Sequence, residues 1–478
     1  MFDGSARALQ WLTAVSTALA VAGCSTLHPP IEDAEIASVS SGLVDGLKFA
    51  PEPLHGRLSL VDAVRRAVAH NQSLRAKELE AELAAAQARA LAGAMLPSIV
   101  AEIDYFGRNR PLLTHSSHSD TYSTSSDLRT LTRDIVLSWN VLDFGLSFVR
   151  TRQAVDKAYQ KQATADRARA NIVEETRTVF WRAVALEKLD RELPRLDRDV
   201  DAALAVSTAQ AQNSALDPMP AVSYQRDLLN ARRELNDLRV RLAGTTDQLK
   251  QVIGQPLIQK IELDASQRRA VPQLPTSTAS EDVSGALQTR PEIREIMYDM
   301  RISEDEIYAT ILKALPGITL DTRFSSDTNS YLLHSNWMSW ATKLAGNLIN
   351  LARLPDELEV TEGQQSVHRQ VCLATAAAIA MQVHVARAHL SVQWKAHDDA
   401  NRFARSQRVL LRLVTAAVRA GRVAPDTIVR EKLATLLAET RATIAFAELQ
   451  AAAAAYATAK GEAPDRTIAH CVKCNDPR

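Results

Sequence analysis

The sequence is poor in the residues that interrupt helices. Of 478 residues only 16 are Gly and 18 are Pro, and aromatics make up 5%. With its long Ala/Leu/Arg/Glu stretches, that composition argues against an all-β protein and for long helices. Four cysteines are too few for a disulfide-stapled scaffold. Charge is balanced, with 56 Lys+Arg against 56 Asp+Glu, which leaves no basic face for nucleic acid. Beyond the N-terminal segment no stretch is expected to reach the 18 uncharged apolar residues of a membrane helix. Any crossing would then fall to a β-barrel, whose alternating strands give a far weaker signal. The length suits two or three domains or one elongated body.

Chemical motifs are equally scarce. There is no Gly-rich phosphate loop, no HExxH zinc pair and no G-x-S-x-G elbow. His384, His389 and His397 are spaced by 5 and 8, which does not gather them on one helix face. Cys471, Cys474 and His470 lie in a polar tail, residues 463–478, and fall short of the four ligands of a structural zinc site. They read as a neutral tail, or as a disulfide in an oxidising compartment. Cys372 reads as a small packed residue. No catalytic residue, metal or cofactor is expected.

The N-terminus carries an address. Residues 8–22 form an apolar run of signal-peptide length ending in Val21-Ala22-Gly23-Cys24. Small residues before a cysteine resemble a bacterial lipobox, so residues 1–23 are expected to be a lipoprotein signal peptide and Cys24 the lipidated residue. Ser25 next to it resembles lipoproteins sorted to an outer membrane. Residues 24–56 are polar and contain Pro, and read as a tether.

From about residue 57 onward the chain is duplicated. Asn71-Gln-Ser-Leu74 precedes Leu96-Pro97, and Arg290-Pro-Glu-Ile293 precedes Leu315-Pro316. From Gln72 to Pro97 and from Pro291 to Pro316 the spacing is 25 in both cases. After each Leu-Pro comes a β-like run, residues 99–106 and 318–324, then a Ser/Thr/His/Asp-rich loop, residues 107–127 and 325–336, then residues 135–140 and 341–347. Asn140 lies 73 residues before Asn213, and Asn347 lies 74 before Gly421, both end points in turns. The two repeats are placed at 57–256 and 280–462.

Each repeat then enters a helix too long for a globular core. From about Phe144 to Gln212 the one interruption is Pro194, which is expected to kink the helix. Ile172, Val179, Leu186, Leu193 and Val200 recur every seven residues, with Leu189, Leu196 and Ala203 beside them, the period at which helices wind together. Shorter helices at about Ser73–Ala94 and Val222–Ile253 are expected to pack end to end along it. The second repeat is expected to copy this with Glu292–Leu315, Gln364–Ala420 and Asp426–Lys460.

At these residues the chain resembles the outer-membrane efflux proteins, trimeric channel-tunnels similar to TolC. The matching pieces are residues 58–71, Ala90-Leu-Ala-Gly-Ala-Met-Leu-Pro97 and Leu137-Ser-Trp-Asn-Val-Leu-Asp-Phe-Gly145. The lipobox is similar to that of the family's lipidated members. Two departures stand out: Asn347-Leu-Ile-Asn-Leu-Ala-Arg-Leu-Pro355 replaces the family's Asp-Gly-Gly-like turn, and the first helical turn has Asn213-Ser-Ala-Leu-Asp-Pro without a glycine.

The resemblance implies a mainly α fold with a transmembrane β part: a long-helix α-barrel plus four strands per protomer contributed to a shared trimeric β-barrel. It implies a passive exit duct in the outer membrane, with the helices in the periplasm, working as a homotrimer with a periplasmic adaptor and an inner-membrane transporter. Four strands alone leave open edges that lipid does not tolerate, so closure between copies is expected. Strand one places Ile99, Ala101, Ile103 and Tyr105 on one face and Val100, Glu102, Asp104 and Phe106 on the other, and Trp139, Trp337, Trp340 and Tyr105 are candidates for interfacial girdles. Charged residues at the helix ends, Asp217, Arg419, Arg422, Asp426 and Arg430, with the turn residues Asn213 and Gly421, are the candidate gate and adaptor contact. A coiled-coil periplasmic scaffold without a pore is the alternative.

Overall fold

The computed structural model describes residues 30–48, 54, 56–116, 118–213, 217–266 and 271–462. Cys24, the signal segment and the tail holding His470, Cys471 and Cys474 lie outside them. Two units separate. The first comprises, among the described residues, 30–48 and 255–260. It carries helix α1 (Asp33–Lys48), so the segment read as a polar tether contains four helical turns.

The second unit holds everything else. Helix α2 (Leu60–His70) starts at Ser59, whose hydroxyl accepts from the Asp62 N–H, and α3 (Gln72–Ala92) at Asn71, whose side chain accepts from the Leu74 N–H. Strand β1 (Ser98–Gly107) comes next, then β2 (Thr114–Ser116), β3 (Thr121–Ser123) and β4 (Arg129–Asn140). The loop expected at 107–127 thus contains a small hairpin, β2 against β3. Helix α4 (Val141–Gln212) is next, then α5 (Pro218–Leu242) and α6 (Thr245–Val252). The single helix expected at Val222–Ile253 is broken because Gly244 adopts φ +80°, a left-handed conformation that ends α5.

Helices α7 (Ala279–Thr289) and α8 (Pro291–Ala314) open the second repeat, followed by β5 (Gly317–Asp327), β6 (Asn336–Ala345), α9 (Leu348–Arg419) and α10 (Thr427–Ala459). The second long helix begins sixteen residues before the expected Gln364, and Pro355 sits in its early turns. Helices α4 and α9 each have 72 residues, roughly 108 Å at 1.5 Å per residue. Helix α4 runs unbroken through Pro194, which is exposed between buried Leu193 and Leu196, so the missing hydrogen bond falls on the solvent side.

The heptad positions form the core seam: Ile172, Val179, Leu186, Leu193 and Val200 are all buried. Leu189, Leu193, Leu196 and Val200 pack with Leu228 and Leu235 of α5 and Leu433 and Leu436 of α10. Around mid-helix a second cluster gathers Leu60, Val64, Leu74, Phe180, Trp181, Leu249, Ile253 and Phe446, with Trp181 edge-on to Phe446 at 4.8 Å. One helix departs from expectation in its apolarity. Residues 370–386 of α9 run 17 long without a charge, and α9 is long and apolar enough to cross a membrane. Most of that stretch is exposed, Val371, Leu373, Met381 and Val385 included.

Candidate functional site

The strands form one antiparallel sheet in the order β1-β4-β5-β6. Its register sorts the side chains. Ile99 lies opposite Leu137, Ala101 opposite Ile135 and Tyr105 opposite Leu131. Ile135 lies opposite Phe324 and Trp139 opposite Leu320. Phe324 in turn faces Met338, Thr322 faces Trp340 and Ile318 faces Leu344. Because the pleat has a period of two, these residues share one face, apolar and exposed from edge to edge and interrupted by Arg133.

The opposite face is mostly polar, interrupted by Val100, Phe106 and Val136. It carries Glu102 and Asp104, Thr130 and Asp134, Asp321 and Arg323, and Lys343. Asp134 is 6% exposed and accepts from Arg323 at 2.7 Å, while Glu102 stands 3.9 Å from the same guanidinium. The carboxylates of Glu102, Asp104 and Asp134 lie within 4.8 Å of one another, and Arg323 balances one of their charges. A sheet apolar on one side and charged on the other suits a wall between lipid and water. Trp337 lies on the polar face, opposite Ser325, so it does not belong with the girdle candidates. Trp340 is mid-strand on the apolar face, whereas Trp139 sits beside the helix junction.

The crossing from sheet to helix is capped by an asparagine in both repeats. Asn140 has φ −96° and ψ 113°, and its side-chain oxygen accepts from the N–H groups of Leu142 and Asp143. Asn347 has φ −95° and ψ 109°, and its oxygen accepts from the Ile349 N–H. Each thereby satisfies helix-start donors that would otherwise be orphaned where the chain leaves the sheet. Neither crossing contains a glycine of positive φ.

Below the junction, ion pairs lock α4 to α8 and α3. Arg150 donates to Glu306 at 2.5 Å, Arg152 to buried Asp305, and Arg169 to Glu78 at 2.9 Å. Burial works to raise the Glu306 pKa, but hydrogen bonds from Arg150 and Gln153 outweigh it and hold the carboxyl below its usual range. Farther down, Asp282 of α7 is 2% exposed and accepts from Tyr456 Oη, Arg387 and Ser277, with Lys460 at 3.6 Å. Burial again opposes ionisation there, and the donors again win, so the Asp282 pKa is lowered.

At the far end the structure places the sequence-predicted tip residues as caps and turns. Asn213 closes α4, and Asp217 caps α5 by accepting from the Met219 N–H at 3.0 Å. Gly421 takes φ +69°, which turns the chain out of α9, with the Arg422 N–H donating back to the Ala417 carbonyl at 2.9 Å. Arg430 pairs with its neighbour Glu431 at 3.5 Å, and Arg419 and Arg422 are exposed. Among the described residues, no two of Asp217, Arg419, Arg422, Asp426 and Arg430 form an ion pair. The contact that bridges the two tips comes instead from Tyr224, whose hydroxyl donates to the Asp426 carbonyl at 2.7 Å. A lone tyrosine in a polar helix offers no periodic signal by which to single it out.

No protein-family model matches the chain, and no curated protein matches it in sequence. Solved structures match it over most of its length. The CmeC outer-membrane channel of Campylobacter jejuni superposes with TM-score 0.64 at 12% identity, covering 90% of this chain and 95% of that one. The MtrE outer-membrane channel of Neisseria gonorrhoeae, in its open state, gives 0.63 at 17%, covering 84% and 88%. The outer-membrane protein VceC of Vibrio cholerae gives 0.59 at 13%, covering 84% and 96%. The duplicated four-stranded sheet and its two 72-residue helices therefore have the fold of the TolC-like outer-membrane channels.

Proposed function

We propose that the chain is an outer-membrane channel-tunnel, the passive exit duct of an efflux or secretion system that receives its cargo from a periplasmic adaptor and an inner-membrane transporter. The observation that carries the reading is the two-faced sheet with open edges at β1 and β6. In lipid those edges need partners, and three copies of four strands would close them into one barrel. The apolar, exposed stretch of α9 around Val371, Leu373, Met381 and Val385 is what a neighbouring copy would cover in the helical tunnel. Lipidation at Cys24 would add an anchor in the same membrane, and the tips around Asp217 and Gly421 would meet the adaptor. The neighbours described as outer-membrane channels support this reading.

The test is planar-bilayer conductance of the purified full-length protein with oligomer mass measured on the same sample. Discrete conductance steps from a trimer are the expected result. A monomer without β-structure in detergent or liposomes would overturn the reading.

A further inference from the structure

The two repeats differ in charge where their long helices end. Residues 402–422 contain six arginines, Arg402, Arg405, Arg408, Arg412, Arg419 and Arg422, and no Asp, Glu or Lys. The matching stretch of the first repeat, aligned through Asn140 and Asn347, is residues 195–215, which holds two arginines and three aspartates. The duplicated helices are equal in length, so the divergence is one of residue chemistry, charge included, and not of helix extent.

Arg405, Arg412 and Arg419 recur every seven residues, and on a helix that spacing drifts only about 20° per repeat, so they form one stripe. The stripe is not the packing seam. Leu390 packs with Leu449, His397 lies against Phe446 and Ala404 packs with Ala438, all toward α10. Arg405 is one position on from that seam, about 100° around the helix. All six arginines are exposed. Arg402 pairs with Asp398 and Arg408 with Glu439, but the side chains of Arg405, Arg412, Arg419 and Arg422 have no hydrogen bond or ion pair among the described residues. Elsewhere in the bundle the half-buried Arg150, Arg169 and Arg232 and the exposed Arg239 reach carboxylates on neighbouring helices.

From these observations we infer that the arginine stripe on the lower end of α9 gives the tunnel mouth a preference for anionic permeants, a specificity that rests on the channel reading proposed for the chain. Rings of Arg or Lys side chains select anions in pores, and charge of one sign between low-dielectric walls concentrates its counter-ions. Stripe members stand roughly 10 Å apart along the helix, close to the Debye length at 0.1 M salt, so their fields overlap. Three copies around an axis would multiply the charge. Permeants bearing carboxylate, phosphate or sulfonate groups are the class it fits.

The experiment is the reversal potential of the full-length protein in a planar bilayer across a KCl gradient. Substituting Arg405→Gln, Arg412→Gln and Arg419→Gln together is expected to lower the chloride-to-potassium permeability ratio about tenfold, the low end of electrostatic focusing. The triple Lys variant at the same positions should keep the wild-type ratio, because it keeps the charge. An unchanged ratio in the Gln variant with conductance intact would overturn the inference. So would a Lys variant that behaves like the Gln variant, since shape and not charge would then be responsible. A wild-type trimer with no conductance steps would remove the channel reading itself and this inference with it.

Discussion

Arg323 on β5 donates to Asp134 on β4 at 2.7 Å and thereby ties the first repeat to the second across the polar face of the sheet. The aspartate is almost fully buried and the arginine half-exposed, so the two substitutions are not equivalent. Arg323→Met leaves a buried carboxylate without its donor. Its cost should be about 1–3 kcal/mol, discounted from the fully buried case because Arg323 faces solvent. Asp134→Asn combined with Arg323→Met should be less destabilised than Arg323→Met alone. Chemical denaturation of the single and double variants in detergent checks this; strictly additive losses would remove the coupling.

The matched caps give a second prediction. Asn140→Ala and Asn347→Ala should each lower stability by about 1 kcal/mol, and Asn→Asp at either site should cost less because a carboxylate also accepts from the helix start. The sites belong to different repeats with no shared partner, so the double Ala variant should show the summed loss. Thermal unfolding followed by helix ellipticity reads the outcome.

A third concerns acid. Asp282 has its pKa lowered in the folded chain, with Tyr456, Arg387, Ser277 and Lys460 facing it. A depressed carboxylate contributes stability above its unfolded pKa of about 3.9, and that contribution is lost as pH falls through the folded value. Packing of α7 against α9 and α10 should therefore weaken below about pH 4. The protection factors of residues 279–289 against hydrogen exchange should fall in that range, and Asp282→Asn should already lower them at pH 7 and flatten their pH dependence.

The long elements were legible because their signals are periodic. The heptads from Ile172 to Val200 and the equal spacings from Gln72 to Pro97 and from Pro291 to Pro316 point to a duplicated bundle without any coordinates. Boundaries were less legible where residue chemistry cut across periodicity. Pro355 made the start of α9 look like a turn, yet the helix begins at Leu348 and runs through it, as α4 runs through Pro194. Gly244 sits inside an otherwise helical pattern, and only its left-handed backbone reveals the break. The strand-one faces could be written from alternation, but Trp337 could be put on its proper side only once the β5–β6 register was known. At the tips the sequence offered charges, whereas the bridging contact there is a hydroxyl on a carbonyl.

That contact separates two substitutions that a charge-based view of the tip would treat alike. Asp426 meets Tyr224 through its backbone carbonyl, so Asp426→Ala preserves the acceptor, while Tyr224→Phe removes the donor. Burial first, and then the nearby Asp426 carboxylate, push the Tyr224 phenol above its usual range, which keeps it protonated and donating at any working pH. Tyr224→Phe should cost about 1 kcal/mol locally, a roughly fivefold rise in tip opening. Amide exchange over residues 217–230 and 424–431 should quicken by about that factor in Tyr224→Phe and change little in Asp426→Ala. In bilayers, Tyr224→Phe should raise the open fraction while leaving the single-channel step unaltered, since it removes one fastening hydroxyl and no charge. Equal effects from both substitutions would mean that the carboxylate, and not the carbonyl, is what holds the two hairpins together.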